Sequence, residues 1–206
     1  MALVKYNNNS ISAITAASGL TSGAMTLIKE QTASASATIS FVHGTSDVVL
    51  DSTYPIYLFK FINIHPATDE ANLQVNFRDG GSSYDATKTT TTFEARHNEN
   101  DSVAALSYDG GADVAQSTGI QLLMSYQGND NDQSCSGYLH LFDPSSTTFV
   151  KHFMARTSSV QYDDRQRDNY IAGYCNVTAA IDGVQFSMSS GNIDAGTFKL
   201  YGIKDS

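Results

Sequence analysis

The chain has 206 residues, enough for one domain or one domain with an arm, and 41% of them are apolar, enough for a real core. Charged residues make up only 16% and the net charge is −9, which speaks against nucleic acid or an anionic membrane surface as partner, since either needs a basic footprint. No apolar run approaches membrane-spanning length, so membrane insertion is not expected.

Residues 1 to 24 are rich in Asn, Ser, Ala and Thr. They carry too few apolar groups to bury a core and read as an arm that is ordered where it docks. Residues 25–206 read as one sandwich domain. The opening Met1-Ala2-Leu3-Val4-Lys5 lacks the apolar core of a secretory signal, so synthesis in a cytoplasm without export by the general secretory route is expected. Met25 to Thr32 is expected as a first strand. Ala37 to His43 alternates Ile39 and Phe41 with Thr38 and Ser40, the period of a half-buried strand. Gly44 to Asp51 is a turn-rich link. Tyr57 to Ile64 is apolar on both faces, as a central strand would be, and Pro55 and Pro66 bracket it. Leu73, Val75 and Phe77 alternate with Gln74, Asn76 and Arg78 until Asp79-Gly80-Gly81 ends the run. Thr87 to His97 is β-branched and carries Phe93 and Ala95.

Ile120, Leu122, Met124 and Tyr126 alternate strictly. Tyr138 to Phe142 and Phe149 to Ala155 flank Asp143-Pro144-Ser145-Ser146, a hairpin signal. Tyr170 to Val177 is the next strand. The chain closes with Val184, Phe186 and Met188 in alternation, a glycine-bearing stretch from Ser189 to Gly196, and a second alternating run from Thr197 to Ile203. That reads as a hairpin whose apolar face needs a second sheet. About ten strands at short spacing, with no long helix, predict an all-β, two-layer antiparallel β-sandwich of jelly-roll type.

Chemistry is less plainly written. Gly128-Asn129-Asp130-Asn131-Asp132-Gln133-Ser134 alternates oxygen-bearing side chains, the hard ligands that calcium prefers. It lacks the glycine and distal glutamate of an EF-hand loop and reads as a solvated loop. Glu99 and Asp101 sit in a polar run; acid–base work needs a cleft and shifted pKa values, so the reading is an exposed loop. His140 and His152 lie symmetrically about the turn at Asp143 to Thr148. A five-residue loop would place them opposite one another, but no third ligand is evident. The charge cluster from Tyr162 to Asp168 reads as an ion-paired loop or a rim between subunits. Cys135 and Cys175 are distant and have no CxxC partner. They read as two buried thiols, with a bridge between adjacent strands left open. Nucleophile, zinc, phosphate-loop and dinucleotide motifs are absent from the sequence, so no catalytic residue, metal ligand or cofactor is assigned.

Four stretches carry a resemblance: Phe61-Ile62-Asn63-Ile64-His65-Pro66-Ala67-Thr68, Asn129-Asp130-Asn131-Asp132-Gln133-Ser134, Ser136-Gly137-Tyr138-Leu139-His140-Leu141-Phe142, and the ending Ser189 to Thr197. With the opening Met1 to Tyr6, they resemble structural proteins of tailed bacteriophages, of the marine cyanophage type. The likeness keeps its order over nearly the whole chain. It implies a non-enzymatic virion component with a β-sandwich body, a capsid decoration or head fibre, assembled in the host cytoplasm. Its partners would be phage capsid or tail proteins. Closed cyclic association of such a displayed body points to a homotrimer. The alternative is a tail-fibre receptor-binding domain that recognises host polysaccharide; a carbohydrate-binding module or glycan hydrolase on the same fold comes third. Contact residues are expected among loop aromatics and amides, namely Tyr84, Tyr108, Asn129, Asn131 and Tyr162, because Tyr offers a large contact at low entropy cost.

Overall fold

The computed structural model describes residues 24–204. The expected arm therefore lies, apart from Ala24, outside the described residues. Twelve strands follow in order: β1 (Met25–Ser36), β2 (Thr38–Val42), β3 (Ile56–Pro66), β4 (Ala71–Arg78), β5 (Lys88–Asn98), β6 (Ala104–Tyr108), β7 (Gln121–Gln127), β8 (Cys135–Phe142), β9 (Lys151–Val160), β10 (Arg165–Cys175), β11 (Gly183–Met188) and β12 (Ile193–Ile203). They form two antiparallel sheets packed as a sandwich, ordered β1-β12-β3-β8-β9-β10-β5-β6 and β2-β11-β4-β7. Among the described residues no helix is long and apolar enough to cross a membrane.

From β1 to β4 the chain changes sheet at every connection. Two antiparallel pairs interrupt this rule, β5–β6 and β9–β10, and both attach beyond β8. Set aside, they leave two sheets of four strands each. The eight alternating strands are called the body below, and β5, β6, β9 and β10 the extension.

The body closes on aromatic rings. Phe186 of β11 lies 5.1 Å from Phe61 of β3, 5.2 Å from Phe198 of β12 and 5.7 Å from Phe59. All four are buried, as is Phe41 of β2. Leu73, Val75 and Phe77 of β4 face inward as their alternation requires.

The interior of the extension is different. Lys88, Thr90, Thr92 and Glu94 of β5 are buried, while Phe93 is 44% exposed. Thr157 and Ser159 of β9 and Arg167 and Asn169 of β10 are buried too, with Phe153, Ala155 and Ile171 as apolar exceptions. Buried polar groups need partners, and β7 supplies several. The Thr157 hydroxyl donates to the Leu123 carbonyl at 2.6 Å, the Thr90 hydroxyl to Gln121 Oε1 at 2.6 Å, and Gln161 Nε2 to the Ser125 carbonyl at 3.0 Å. Arg167 pairs with Glu94 and, at 2.6 Å, with Asp109, and its Nε donates to Asn169 at 3.0 Å.

Several sequence expectations need correction. β11 and β12 do not form a closing hairpin. β11 pairs with β2 and β4, and β12 with β1 and β3, so Ser189 to Asn192 crosses from one sheet to the other. The turn chemistry still holds: Gly191 and Gly196 have φ of 66° and 121°. β7 does not bury the alternating set from Ile120 to Tyr126. Gln121, Leu123, Ser125 and Gln127 are buried along with Met124, and Ile120 and Tyr126 are exposed, because the interior opposite β7 is polar and accepts amides. β3 is the central strand expected, between β12 and β8: Tyr57, Phe59 and Phe61 point inward, and on its outer side Leu58 is buried while Ile62 is exposed. β6 was not expected at all. Cys135 and Cys175 are buried free thiols, as the simpler reading had them.

Candidate functional site on the outer face of the large sheet

Side chains two apart on a strand share a face. The inward positions of the large sheet line the interior, and the outward ones align in rows through the ladder registers. One row runs Tyr108, Phe93, Tyr170, Arg156, Tyr138 and Lys60, from β6 to β3. The next runs Thr91, Ala172, Met154, His140, Leu58 and Tyr201, from β5 to β12. Phe142, Ile56 and Ile203 belong to a third. The outer face of the small sheet has ordinary composition by comparison: Ser40, Gln185 and Asn76 stand side by side there.

The aromatic rows have a specific geometry. The Phe93 and Tyr170 rings are parallel, 2° apart in plane, with centroids at 4.8 Å. The Arg156 guanidinium lies 4.7 Å from the Tyr170 centroid. It also donates twice to Asp168, at 3.0 and 2.7 Å, and that hydrogen bonding raises the Arg156 pKa. Tyr138 meets His140 edge-on at 5.2 Å, and burial pushes the His140 pKa down. The faces of Tyr170 are thus occupied by Phe93 and Arg156. Together these side chains border a shallow groove of about 530 Å³.

Of the residues expected to make contacts, Tyr108 alone lies on this face, with its hydroxyl donating to Asp113. Asn129, Asn131 and Tyr162 gather at one end of the sandwich, next to Gly128, where Ala71 pairs with Gln127. Tyr84 is at the other end, beside Gly183 and Arg78. Phe93, Tyr138, Met154, Arg156 and Tyr170 were not read as contact residues. Their signal was the second alternating set in each strand, which in β5 is more apolar than the first but in β9 is not.

The end bearing Asn131 forms a polar cleft of about 520 Å³ with Asn63, His65, Asp132 and Asp194. His65 Nδ1 is 3.6 Å from Asp194, and Nε2 is 3.2 Å from the Asp130 carbonyl. The imidazole is held between a carboxylate and a backbone oxygen rather than against a hydroxyl or thiol nucleophile. Gln133 ties the 128–134 loop inward, donating to the Gln161 carbonyl at 3.3 Å and to Asp164 at 3.2 Å. His140 stands opposite Met154, so it does not face His152 across the hairpin. Among the described residues no group of three His, Cys, Asp or Glu is placed to hold a metal.

A last cluster is internal. Cys175 pairs in register with Lys88 on one side and Lys151 on the other, and all three are fully buried. The ammonium of Lys88 donates to the carbonyls of Ala86 at 3.1 Å and Gly119 at 2.7 Å, and that of Lys151 to the Val177 carbonyl at 2.8 Å. Burial lowers both lysine pKa values and pushes the Cys175 thiol up to about 12. The cluster has no opening to solvent and reads as part of the polar interior. No family model, curated protein or solved structure matches the chain.

Proposed function

We propose that this protein is a non-enzymatic structural component of a tailed-bacteriophage particle, displayed on its surface as a capsid decoration or head fibre. The observation that carries the reading is the polarity of the extension. Its interior is polar and its exterior aromatic, which is stable in water at a cost and becomes favourable when the exterior is covered in an assembly. The resemblance of Phe61 to Thr68 and of Ser136 to Phe142 to phage structural proteins supplies the kind of assembly. The topology is in keeping. The body has eight strands in two sheets, β1-β12-β3-β8 and β2-β11-β4-β7, which supports reading the fold as a jelly roll with two inserted hairpins. Its partners are then phage capsid or tail proteins and further copies of the chain, and its place is the virion. Mass spectrometry of purified particles is expected to find the chain at many copies, and glycan-hydrolysis assays to find no turnover. Absence from particles overturns the proposal.

A second reading is a tail-fibre domain that binds host polysaccharide. It is favoured by one fact: Asn129, Asn131 and Tyr162 converge beside the polar cleft of His65 and Asp194. Glycan-array binding that is lost in Asn131→Ala and kept in Phe93→Glu would establish it.

A further inference from the structure

We infer that the outer face of the large sheet is a contact between copies of this chain. The inference rests on reading that face as an assembly surface and names its occupant. Three observations select a second copy.

The first is charge. The chain carries −9, yet the charged residues in the outward rows are Lys60, Arg156 and Lys199 against Glu30 and Asp168, three basic and two acidic. The acidity lies elsewhere on the surface. Two copies meeting through the acidic parts of the surface bring like charges together, and through this face they do not.

The second is extent. Eight strands at ~4.8 Å spacing give a width of ~38 Å. Three rows add ~15 Å along the strands, about 600 Å² before side-chain relief, close to the ~800 Å² per partner of a standard interface.

The third is ring orientation. A sugar stacks on an exposed ring face. Here Phe93 and Tyr170 turn their faces to each other, and Arg156 covers the other side of Tyr170. Beside them stand Met154 and Leu106, both more than half exposed. Such a surface fits the apolar core of a protein interface better than a glycan platform.

The test uses the full chain and a thiol reagent. Both native cysteines are buried, so the reagent reads an introduced thiol. Met154→Cys places it at the centre of the face, and Thr38→Cys places one on the exposed outer side of the small sheet. Sedimentation of the unaltered chain is expected to show an oligomer. Labelling of Met154→Cys is expected to be several-fold slower than that of Thr38→Cys, with the protection lost on dilution as the oligomer dissociates. Phe93→Glu is expected to shift the chain to monomer while its cooperative unfolding is retained. A monomer that labels fast at both positions overturns the inference. A monomer protected at Met154→Cys independently of concentration also overturns it, and assigns the cover to residues 1–23 of the same chain. An oligomer unaffected by Phe93→Glu and unprotected at Met154→Cys overturns it as well. A chain that is monomeric when purified but abundant on particles overturns this inference alone; an oligomer absent from particles overturns the particle reading alone.

Discussion

The body and the extension solve the same packing problem with opposite polarity. In the body, Phe41, Phe59, Phe61, Phe186 and Phe198 point inward, and Ser40, Gln185 and Asn76 point out. In the extension, Thr90, Glu94, Thr157, Arg167 and Asn169 point inward, and Phe93, Met154 and Tyr170 point out. The first half is held by area removed from water, which is non-directional and tolerant of small shifts. The second is held by hydrogen bonds and ion pairs, which must all be made together or cost more than they contribute. The two halves should therefore fail differently.

The largest effect is expected in the body. Phe186 touches Phe59, Phe61 and Phe198 at the centre of the ring cluster, so Phe186→Ala should cost ~3–5 kcal/mol in urea unfolding. The loss should be global, with all strands losing amide protection together. A cost under ~1 kcal/mol would show that the ring cluster is not the main support of the body.

In the extension the matching change is Arg167→Met. It keeps the stem and deletes the guanidinium that serves Glu94, Asp109 and Asn169. Removing one partner of a buried ion network leaves the others uncompensated, at ~3 kcal/mol or somewhat more. The loss should be local at first: amides of β5, β6 and β10 should exchange faster while those of β3 and β11 stay protected. Uniform loss of protection would merge the two halves into one cooperative unit.

This division also explains which parts of the fold were legible in the sequence. Period-two alternation fixes which residues share a face; it does not say which face is inside. In β4 the apolar set Leu73, Val75 and Phe77 is the buried set, and the reading was right. In β7 the apolar set from Ile120 to Tyr126 misled, because β7 lies over the polar interior and turns Gln121 and Gln127 inward. In β5, Phe93 turns outward for the same reason. Ala104 to Tyr108 is short, with Ala104, Leu106 and Tyr108 exposed, and offered no buried stripe to find. Pairing was the other blind spot. β11 and β12 are neighbours in sequence and lie in different sheets, a choice made by β2, β4, β1 and β3 far along the chain. The aromatic site was illegible because it is built across strands, with each contributing one side chain to a row.

A smaller effect tests the irregular start of β12, just beyond the crossing between the sheets. Gly196 lies inside β12 at a register shift, with φ of 121°. A Cβ there would stand 2.7 Å from the Asn63 carbonyl oxygen and 2.8 Å from Ile64 Cα, both backbone atoms that cannot swing away. Gly196→Val should cost ~1–3 kcal/mol, from strain at positive φ and the clash together. An unchanged melting temperature would mean that the kink in β3 at Asn63 relaxes freely.

The smallest expected effect is in alkaline stability, where the buried thiols, Cys135 in the body and Cys175 in the extension, and the buried lysines beside Cys175 act with opposite signs. Cys135, in the body, has its thiol pushed up from 9.0 to about 12 by burial alone. Below pH 9 the folded and unfolded chains both hold that proton, and the contribution is fully present. Above pH 9 the unfolded chain releases it and the folded chain does not, so stability falls as pH rises toward 12, by about 1 kcal/mol between pH 9 and 10. Tyr57, itself raised from 10.0 to about 12, adds a smaller decline of the same sign there. Lys88 runs the other way. Burial lowers its pKa below 10.5, so between the lowered value and 10.5 the unfolded chain binds more protons, and stability gains as pH rises. Cys135→Ala should therefore flatten the decline between pH 9 and 10, and Lys88→Met should steepen it across the same window. Urea midpoints measured at pH 8, 9 and 10 would read both slopes. A decline that Lys88→Met leaves unchanged or flattens would show that Lys88 keeps its proton in the folded chain through pH 10, because only a proton lost on folding makes stability rise with pH.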